Sequence, residues 1–451
     1  MSTDKTPEQA PVKTSVAKSG TKVPGQTSTA KSDAPVEAPA AAAGAATAID
    51  PRLLVREQGF GGYISEFGRK IRAGELGYIP VVGALVIIAI IFQSLNSAFL
   101  SAGNISDIAV AMVGTGTIAV GIVFVLLLGE IDLSVGSVSG VAGAMFAVLA
   151  VSHGMAEWLA FVLAIVSGVV MGSIHGFFFS KIGVPAFAVT LAGLLFWNGF
   201  MLKLLGDNGT INLDGDGFVG KLTGYYFSDV AAAYGLAVVG VVVFFLSSFF
   251  DSRRRERAGV PARPLAEIIV RTVALAIVAF LIAYLFNQNR GLPLAVLIFV
   301  VILLVTDVVL RRTSYGRKVF ALGGSVEASR RAGINVALVR TSVFAISGGF
   351  AALGGIFIAS KITAANQSAG AGDLLMNAIA AAVIGGTSLF GGRGRTWDAL
   401  LGVLVITSIQ YGLALEGVAS PVQYMITGAV LLATVVIDAI TRKTQKTAGR
   451  A

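Results

Sequence analysis

An all-α polytopic membrane protein is the fold class this sequence predicts, and three observations predict it. Of 451 residues, 55% are hydrophobic and 13% charged, with a mean hydropathy of +0.81, a balance that leaves a water-soluble globule too few polar residues to cover its core. The apolar residues fall in twelve runs, each near the roughly 20 residues that cross about 30 Å of hydrocarbon. The basic residues lie between those runs and sort to one side.

Residues 1–50 are rich in Ala, Pro, Thr, Ser and Lys and have no apolar stretch ahead of a cleavage site, so they read as a disordered cytosolic tail and not a signal peptide. Residues 51–77 read as an amphipathic juxtamembrane segment. The transmembrane domain, 78–440, holds runs near 78–100, 105–128, 133–152, 157–182, 184–206, 230–250, 267–287, 292–310, 341–361, 372–390, 397–416 and 420–440. A short cytosolic tail, 441–451, follows. With the amino terminus inside, all of the 34 Lys and Arg except Lys203, Lys221, Arg290 and Lys361 fall on the cytosolic side. The run at 372–390 contains AIAAAVIGGTS, small and Gly-rich, which predicts a broken or re-entrant helix.

Composition excludes several functions. A net charge of +9 would suit nucleic acid, but the basic residues do not cluster on a soluble face, so no nucleic-acid partner is expected. Cysteine is absent, and His153 and His175 are too few for a zinc cluster. No metal, cofactor or catalytic group is expected, since no nucleophile or paired acids lie within reach of each other.

Three stretches stand out. GEIDLSVGS, 129–137, sets Glu130 and Asp132 at the cytosolic end of two apolar runs. Asp132 and Ser134 can cap the following helix, where both acids meet the positive end of its dipole; equally, acids there break the positive-inside trend and point to function. A second stretch, Gly385 to Gly392, repeats the frame Gly-x-x-(Asp/Ser)-Leu-x-x-Gly of Gly129 to Gly136, which suggests two related halves, although Gly-rich frames recur wherever membrane helices pack closely. The third, 311–340, is the longest cytosolic loop between runs: a Gly323-Gly324 turn, then a short helix through Glu327, Ala328 and Ser329 that stops at Gly333. Such a helix suits another protein's groove, whereas a basic loop resting on anionic lipid would explain only the arginines.

The outward loop 206–229 carries Asp207, Asp214, Asp216 and Asp229 against Lys221 and offers an acidic dock for a partner. Within it GDGFVGK, 215–221, has the spacing of a phosphate-binding loop, but Leu222 stands where a hydroxyl must reach magnesium and no strand precedes it, so the match is chance.

Together GEIDLSVGS, VIGGTSLFGGRG and SYGRKVFALGGSVEASRRAGI resemble the membrane subunit of the carbohydrate ABC importers of the ribose and xylose type, over residues 72–440. IRAGELGYIPVVGALVIIAIIFQSLNSAFLSAGNISDI and LLLGEIDLSVGSVSG look most like the xylose permeases, and the helix pair around 267–310 matches their extra length. Ser325-Val326 departs from the Asn-containing turn of many relatives, and the fifty-residue tail has no counterpart.

The resemblance implies a non-catalytic permease in a bacterial inner membrane, pairing with a second copy of itself within the lipid. It would receive a pentose, D-xylose above ribose or galactose, from a periplasmic binding protein. A separate cytosolic ATPase would drive it, so ATP would bind the partner subunit and no cofactor this chain. The ATPase contact would be Gly323, Gly324, Glu327, Ala328, Arg330 and Gly333. The family motifs would be Gly129, Glu130, Asp132, Leu133, Ser134 and Gly136, with Gly385, Gly386, Ser388, Gly391 and Gly392. Side chains able to match sugar hydroxyls or stack on a sugar face are Phe196, Trp197, Asn198, Asn377, Gln410, Tyr411, Gln423 and Tyr424, each of which equally serves as glue between helices. The competing class is an ion-coupled secondary sugar carrier. It requires an ionisable group near midmembrane, and Asp107, Asp307, Asp398 and Asp438 all lie near the ends of runs.

Overall fold

Helices account for most of the computed structural model, which describes residues 77–447 apart from 261 and 371, with side chains described for all of these except 372 and 437–447. The expected tail at 1–50 and all but the last residue of the expected segment at 51–77 lie outside the described residues. In chain order the helices are α1 (Ile79–Leu95), α2 (Ala102–Leu127), α3 (Val135–Ala147), α4 (Glu157–Phe177) and α5 (Ala186–Leu205). Strand β1 (Thr210–Asn212), α6 (Gly220–Gly224) and β2 (Tyr226–Phe227) lead into α7 (Val230–Arg257) and α8 (Leu265–Asn287). Strand β3 (Leu292–Pro293) precedes α9 (Leu294–Arg312), α10 (Ser314–Gly324), α11 (Val326–Arg331) and α12 (Val336–Ile362). Strand β4 (Ala364–Asn366), α13 (Gly372–Ile384), α14 (Thr396–Leu415) and α15 (Ser420–Thr447) complete the chain.

Local chemistry starts these helices where it is expected to. Ser101, Asp229 and Asn335 each accept a backbone N–H with the side chain at the first turn of α2, α7 and α12. Among the described residues nine helices are long and apolar enough to cross a membrane, and three shorter apolar ones lie at Ile79–Leu95, Asp373–Ile384 and Ser420–Val436. Each of the twelve runs therefore carries a helix. Two differ from simple spans. Helix α3 has 13 residues and continues as a π-helical turn, Val148–Ser152. Helix α13 also has 13 residues, about 20 Å, and its run ends in the non-helical Gly385 to Gly392. Helix α15 runs on to Thr447, past the expected end at 440.

Helix α2 is the centre. From Ile118 to Leu127 its side chains are almost wholly buried, as a helix apolar on every face requires. Helix α12 packs on it and on α3 and α4. The α4 contact uses Gly168, Gly172 and Gly176, spaced four apart, whose missing side chains admit Phe344, Gly348 and Thr341 of α12. Helices α13 and α14 pack on each other and on α2 from the other side. Helices α7 and α8 pair with each other at the periphery and expose Val239, Val270 and Ile277.

Antiparallel pairs β1–β4 and β2–β3 tie the connections at one end of the bundle. Helices α10 and α11 lie at the other, since α9 runs from β3 to α10 and α12 from α11 to β4. The acidic loop is thus a folded cap: Leu213 N–H bonds to Thr363 O at 2.8 Å, and Glu157 accepts the Val219 N–H at 3.0 Å. That carboxylate also reaches Gly217 of the phosphate-loop-like stretch, which suits no anion there.

Candidate functional site

The three distinctive stretches meet at the α10–α11 end. Gly392 N–H donates to Leu127 O at 2.9 Å, joining the second glycine-rich stretch to the end of α2. Gly129 (φ +78°) and Gly391 (φ +84°) both turn in the left-handed region that favours glycine. A β-carbon on Gly391 would stand 2.9 Å from Gly129 N and from Gly323 O. Gly323 in turn lies against the Leu127 carbonyl. Within the second stretch Ser388 N–H donates to Arg393 O at 2.9 Å, and Phe390 N–H to Ser388 Oγ at 3.1 Å. Thr387 Oγ1 and Arg395 N–H both donate to Asp398 Oδ2 at 2.8 Å. Gly386 takes φ +120°, and Gly385 packs on the Asp398 carbonyl. At the far side of the first stretch a β-carbon on Gly136 would stand 2.8 Å from the Gly370 carbonyl oxygen.

The two acids of GEIDLSVGS have different surroundings. Glu130 is partly exposed and 3.9 Å from Arg340, whose guanidinium lies 4.3 Å over the Phe179 ring. Burial pushes the Glu130 carboxyl above its ordinary range, and Arg340 draws it partly back. Asp132 is 2% exposed. Its Oδ1 accepts the Ser134 N–H at 2.9 Å and the Ser134 hydroxyl, and its Oδ2 accepts the Ser347 hydroxyl at 3.0 Å. Ser347 is eleven residues into α12, about 16 Å along its axis. The connection therefore dips into the bundle and does not stay at its surface. This corrects two expectations. Ser134 makes no side-chain cap to α3 because Asp132 holds its hydroxyl, and a carboxylate lies buried inside the helix bundle.

That carboxylate belongs to a longer network. Ser134 Oγ lies 3.1 Å from His175 Nδ1, and Trp197 Nε1–H donates to His175 Nε2 at 2.9 Å. An indole only donates, so Nε2 accepts, Nδ1–H donates to Ser134, and the Ser134 hydrogen goes to Asp132. His175 and Ser347 escaped the sequence reading. The signal for His175 was an ionisable side chain alone in an apolar run; Ser347 gave none.

Beyond Gly323 the chain forms an exposed hook. Ser325 Oγ accepts the Ala328 N–H at 3.2 Å and starts α11. Glu327 and Arg331 pair at 3.4 Å one turn apart. Gly333 (φ +78°) ends the helix, with Gly333 N–H to Arg330 O at 3.1 Å and Ile334 N–H to Ser329 O at 3.0 Å. Gly324, Glu327, Ala328, Arg330 and Gly333 are exposed while Ser329 anchors the helix inward. Tyr315 of α10 bonds Ser342 of α12 at 2.9 Å, and burial raises its hydroxyl's pKa above the usual phenol range.

The eight residues proposed for a sugar path are spread over four helices, α5, α13, α14 and α15. Phe196 and Asn198 are exposed on α5, while Trp197 turns inward to His175. Asn377 and Gln410 are half-buried on α13 and α14. Tyr411 accepts from Lys361 Nζ at 2.6 Å, Gln423 donates to Val418 O at 2.8 Å, and Tyr424 is exposed. A cavity of about 150 Å³ lined by Phe146, Glu157, Leu213 and Asp214, and an open apolar groove along α4 at Val170, Ile174, Phe177 and Phe178, include none of them.

Residues 104–435 match the family described as branched-chain amino acid transport system / permease component. The xylose transport system permease protein XylH of Haemophilus influenzae is 34% identical over 368 residues, 81% of this chain and 96% of that protein. Its Escherichia coli K12 counterpart is 33% identical over 374 residues, 83% and 94% of the two chains. The ribose import permease protein RbsC of Bacillus subtilis is 31% identical over 359 residues, 80% and 91%. No solved structure matches. The twelve apolar runs and the convergence of the three glycine-rich stretches agree with that match: the chain belongs to the permease-component family of ABC transport systems, as a multi-pass membrane protein whose part in transport is not catalytic.

Proposed function

We propose that this chain is the membrane subunit of an ATP-driven importer of D-xylose in a bacterial inner membrane, with both termini cytosolic. The observation that carries the reading is the joining of Gly129, Gly391 and Gly323 beneath the exposed α10–α11 hook. A push on that hook reaches the connections between α2 and α3 and between α13 and α14 with no flexible segment between. The hook, through Gly324, Glu327, Ala328, Arg330 and Gly333, seats in a separate ATPase that alone binds ATP, and the folded acidic cap at the opposite end receives a periplasmic binding protein. Nucleotide and the loaded binding protein drive the cycle by binding the two conformations unequally.

Pairing with a second copy is supported by α5. It exposes Leu195, Phe196 and Asn198, and a bare amide midway along a membrane helix is costly against lipid. The same face, lined by Phe196 and Asn198, then borders the sugar path between copies, while the α7–α8 pair faces lipid. Xylose is favoured over ribose because the xylose permeases are 33–34% identical to this chain and the ribose permease 31%. Asp132 does not favour an ion-coupled carrier, because both its oxygens are already held by Ser134 and Ser347.

The absence of cysteine makes a direct test simple. A single cysteine replacing Ala328 is expected to react with an impermeant maleimide in inside-out vesicles only, and to be shielded when the ATPase is bound; one replacing Asp216 is expected to react in intact spheroplasts. Labelling of Ala328→Cys from outside would overturn the orientation, and equal labelling with and without the ATPase would overturn the hook's role.

A further inference from the structure

Four elements that share no stretch of sequence are held by one chain of polar groups: the 128–134 connection, α4, α5 and α12. Its members are Asp132, Ser134, His175, Trp197 and Ser347, linked at 2.5–3.1 Å. Asp132, Ser134, His175 and Ser347 are each at most 3% exposed. The packing around the imidazole is tight, since a β-carbon on Gly193 of α5 would collide with His175. Nothing in helix formation requires this. Helix α3 starts without a side-chain cap, and α4 and α12 already pack through glycines.

The two ends of the chain are what give it meaning. At one end the 128–134 connection begins with Gly129, packed against Gly391 and the Gly323 carbonyl under the hook. At the other, Trp197 lies between Phe196 and Asn198, both exposed on α5. Helix α5 otherwise packs mainly on α3, so the indole N–H is its polar tie to the connection. We infer that His175 is a positioning residue that couples the 128–134 connection to α5 through Ser134 on one ring nitrogen and Trp197 on the other, so that displacement of α10–α11 moves the α5 face. The inference rests on the functional reading above.

The experiment uses the full chain with its ATPase and binding protein in proteoliposomes and reads sugar imported per ATP hydrolysed. Poor folding lowers uptake and coupled hydrolysis together and leaves that ratio intact, so a merely structural role does not move it. Trp197→Phe keeps the ring and removes the N–H; Ser134→Ala removes the hydroxyl. Each is expected to lower the ratio by about threefold, the scale of one hydrogen bond inside a membrane protein, and the double variant is expected to fall no further than the worse single, because both cut one chain. Should Ser134→Ala not insert, His175→Asn, which loses the acceptor for Trp197, takes its place in the same cycle. A wild-type ratio in either single variant, or a double variant whose loss is the product of the two, would overturn the inference. Wild-type uptake that does not need the ATPase would instead sink the functional reading, and is read in the same vesicles.

Discussion

Gly323 and Gly324 are neighbours with opposite surroundings. A β-carbon on Gly323 would collide with the Leu127 carbonyl, whereas one on Gly324 meets nothing within 4 Å. Overpacking against backbone costs about 1–3 kcal/mol, so Gly323→Ala is expected to lower the unfolding midpoint in detergent and Gly324→Ala to leave it within error; equal midpoints would mean that the hook is not seated on α2. At this scale the sequence was legible where a residue type has one use. Gly333 marked the end of the short helix, and it has positive φ. It was opaque where burial decides. The carboxylates of GEIDLSVGS suited capping and function alike, and only the neighbours of Asp132 reveal that its hydroxyl donors come from its own connection and from α12. The indole of Trp197 looked like a face for sugar and is turned to His175, because nothing in FWNGF states which of its aromatics points inward.

Among the elements, α11 carries the clearest local code. Gly333 just after its end was read as its stop, whereas Ser325, noted only as a departure from an Asn-containing turn, caps its start. Losing an N-cap costs about 1 kcal/mol, roughly fivefold in helix population. Ser325→Ala is accordingly expected to cut stimulation of the ATPase by loaded binding protein about fivefold, while surface expression stays constant; full stimulation would show that α11 need not be helical at the contact. Helix α10 was less legible. The Gly323-Gly324 pair reads as a turn, yet the helix runs through it, because close approach to Leu127 and not chain reversal is what excludes a side chain there. The glycines of α4 act by the same logic. Gly172→Leu drives a branched side chain into the Phe344 backbone, and the expected result is loss of monodisperse protein on gel filtration; a well-behaved variant would contradict the α4–α12 packing.

For the whole molecule, each of the twelve apolar runs carries a helix among the described residues, nine of them long and apolar enough to cross a membrane, since burial in lipid leaves a one-dimensional record. The two 13-residue helices, α3 and α13, left a weaker one. A run of apolar residues does not say where backbone hydrogen bonding stops, and both end in π-helical or glycine-rich segments. Which ends meet is a three-dimensional fact, so the joining of 129–136, 385–392 and Gly323 was not legible, although each stretch had been singled out. On the function proposed above, these stretches form the seat through which a separate ATPase drives this chain. Reconstitution tests it most directly: uptake of labelled xylose and ribose, with ATPase, binding protein and ATP omitted in turn. Uptake that needs all three and favours xylose is the expected result; uptake by this chain alone down an ion gradient would rule out the ATPase seat.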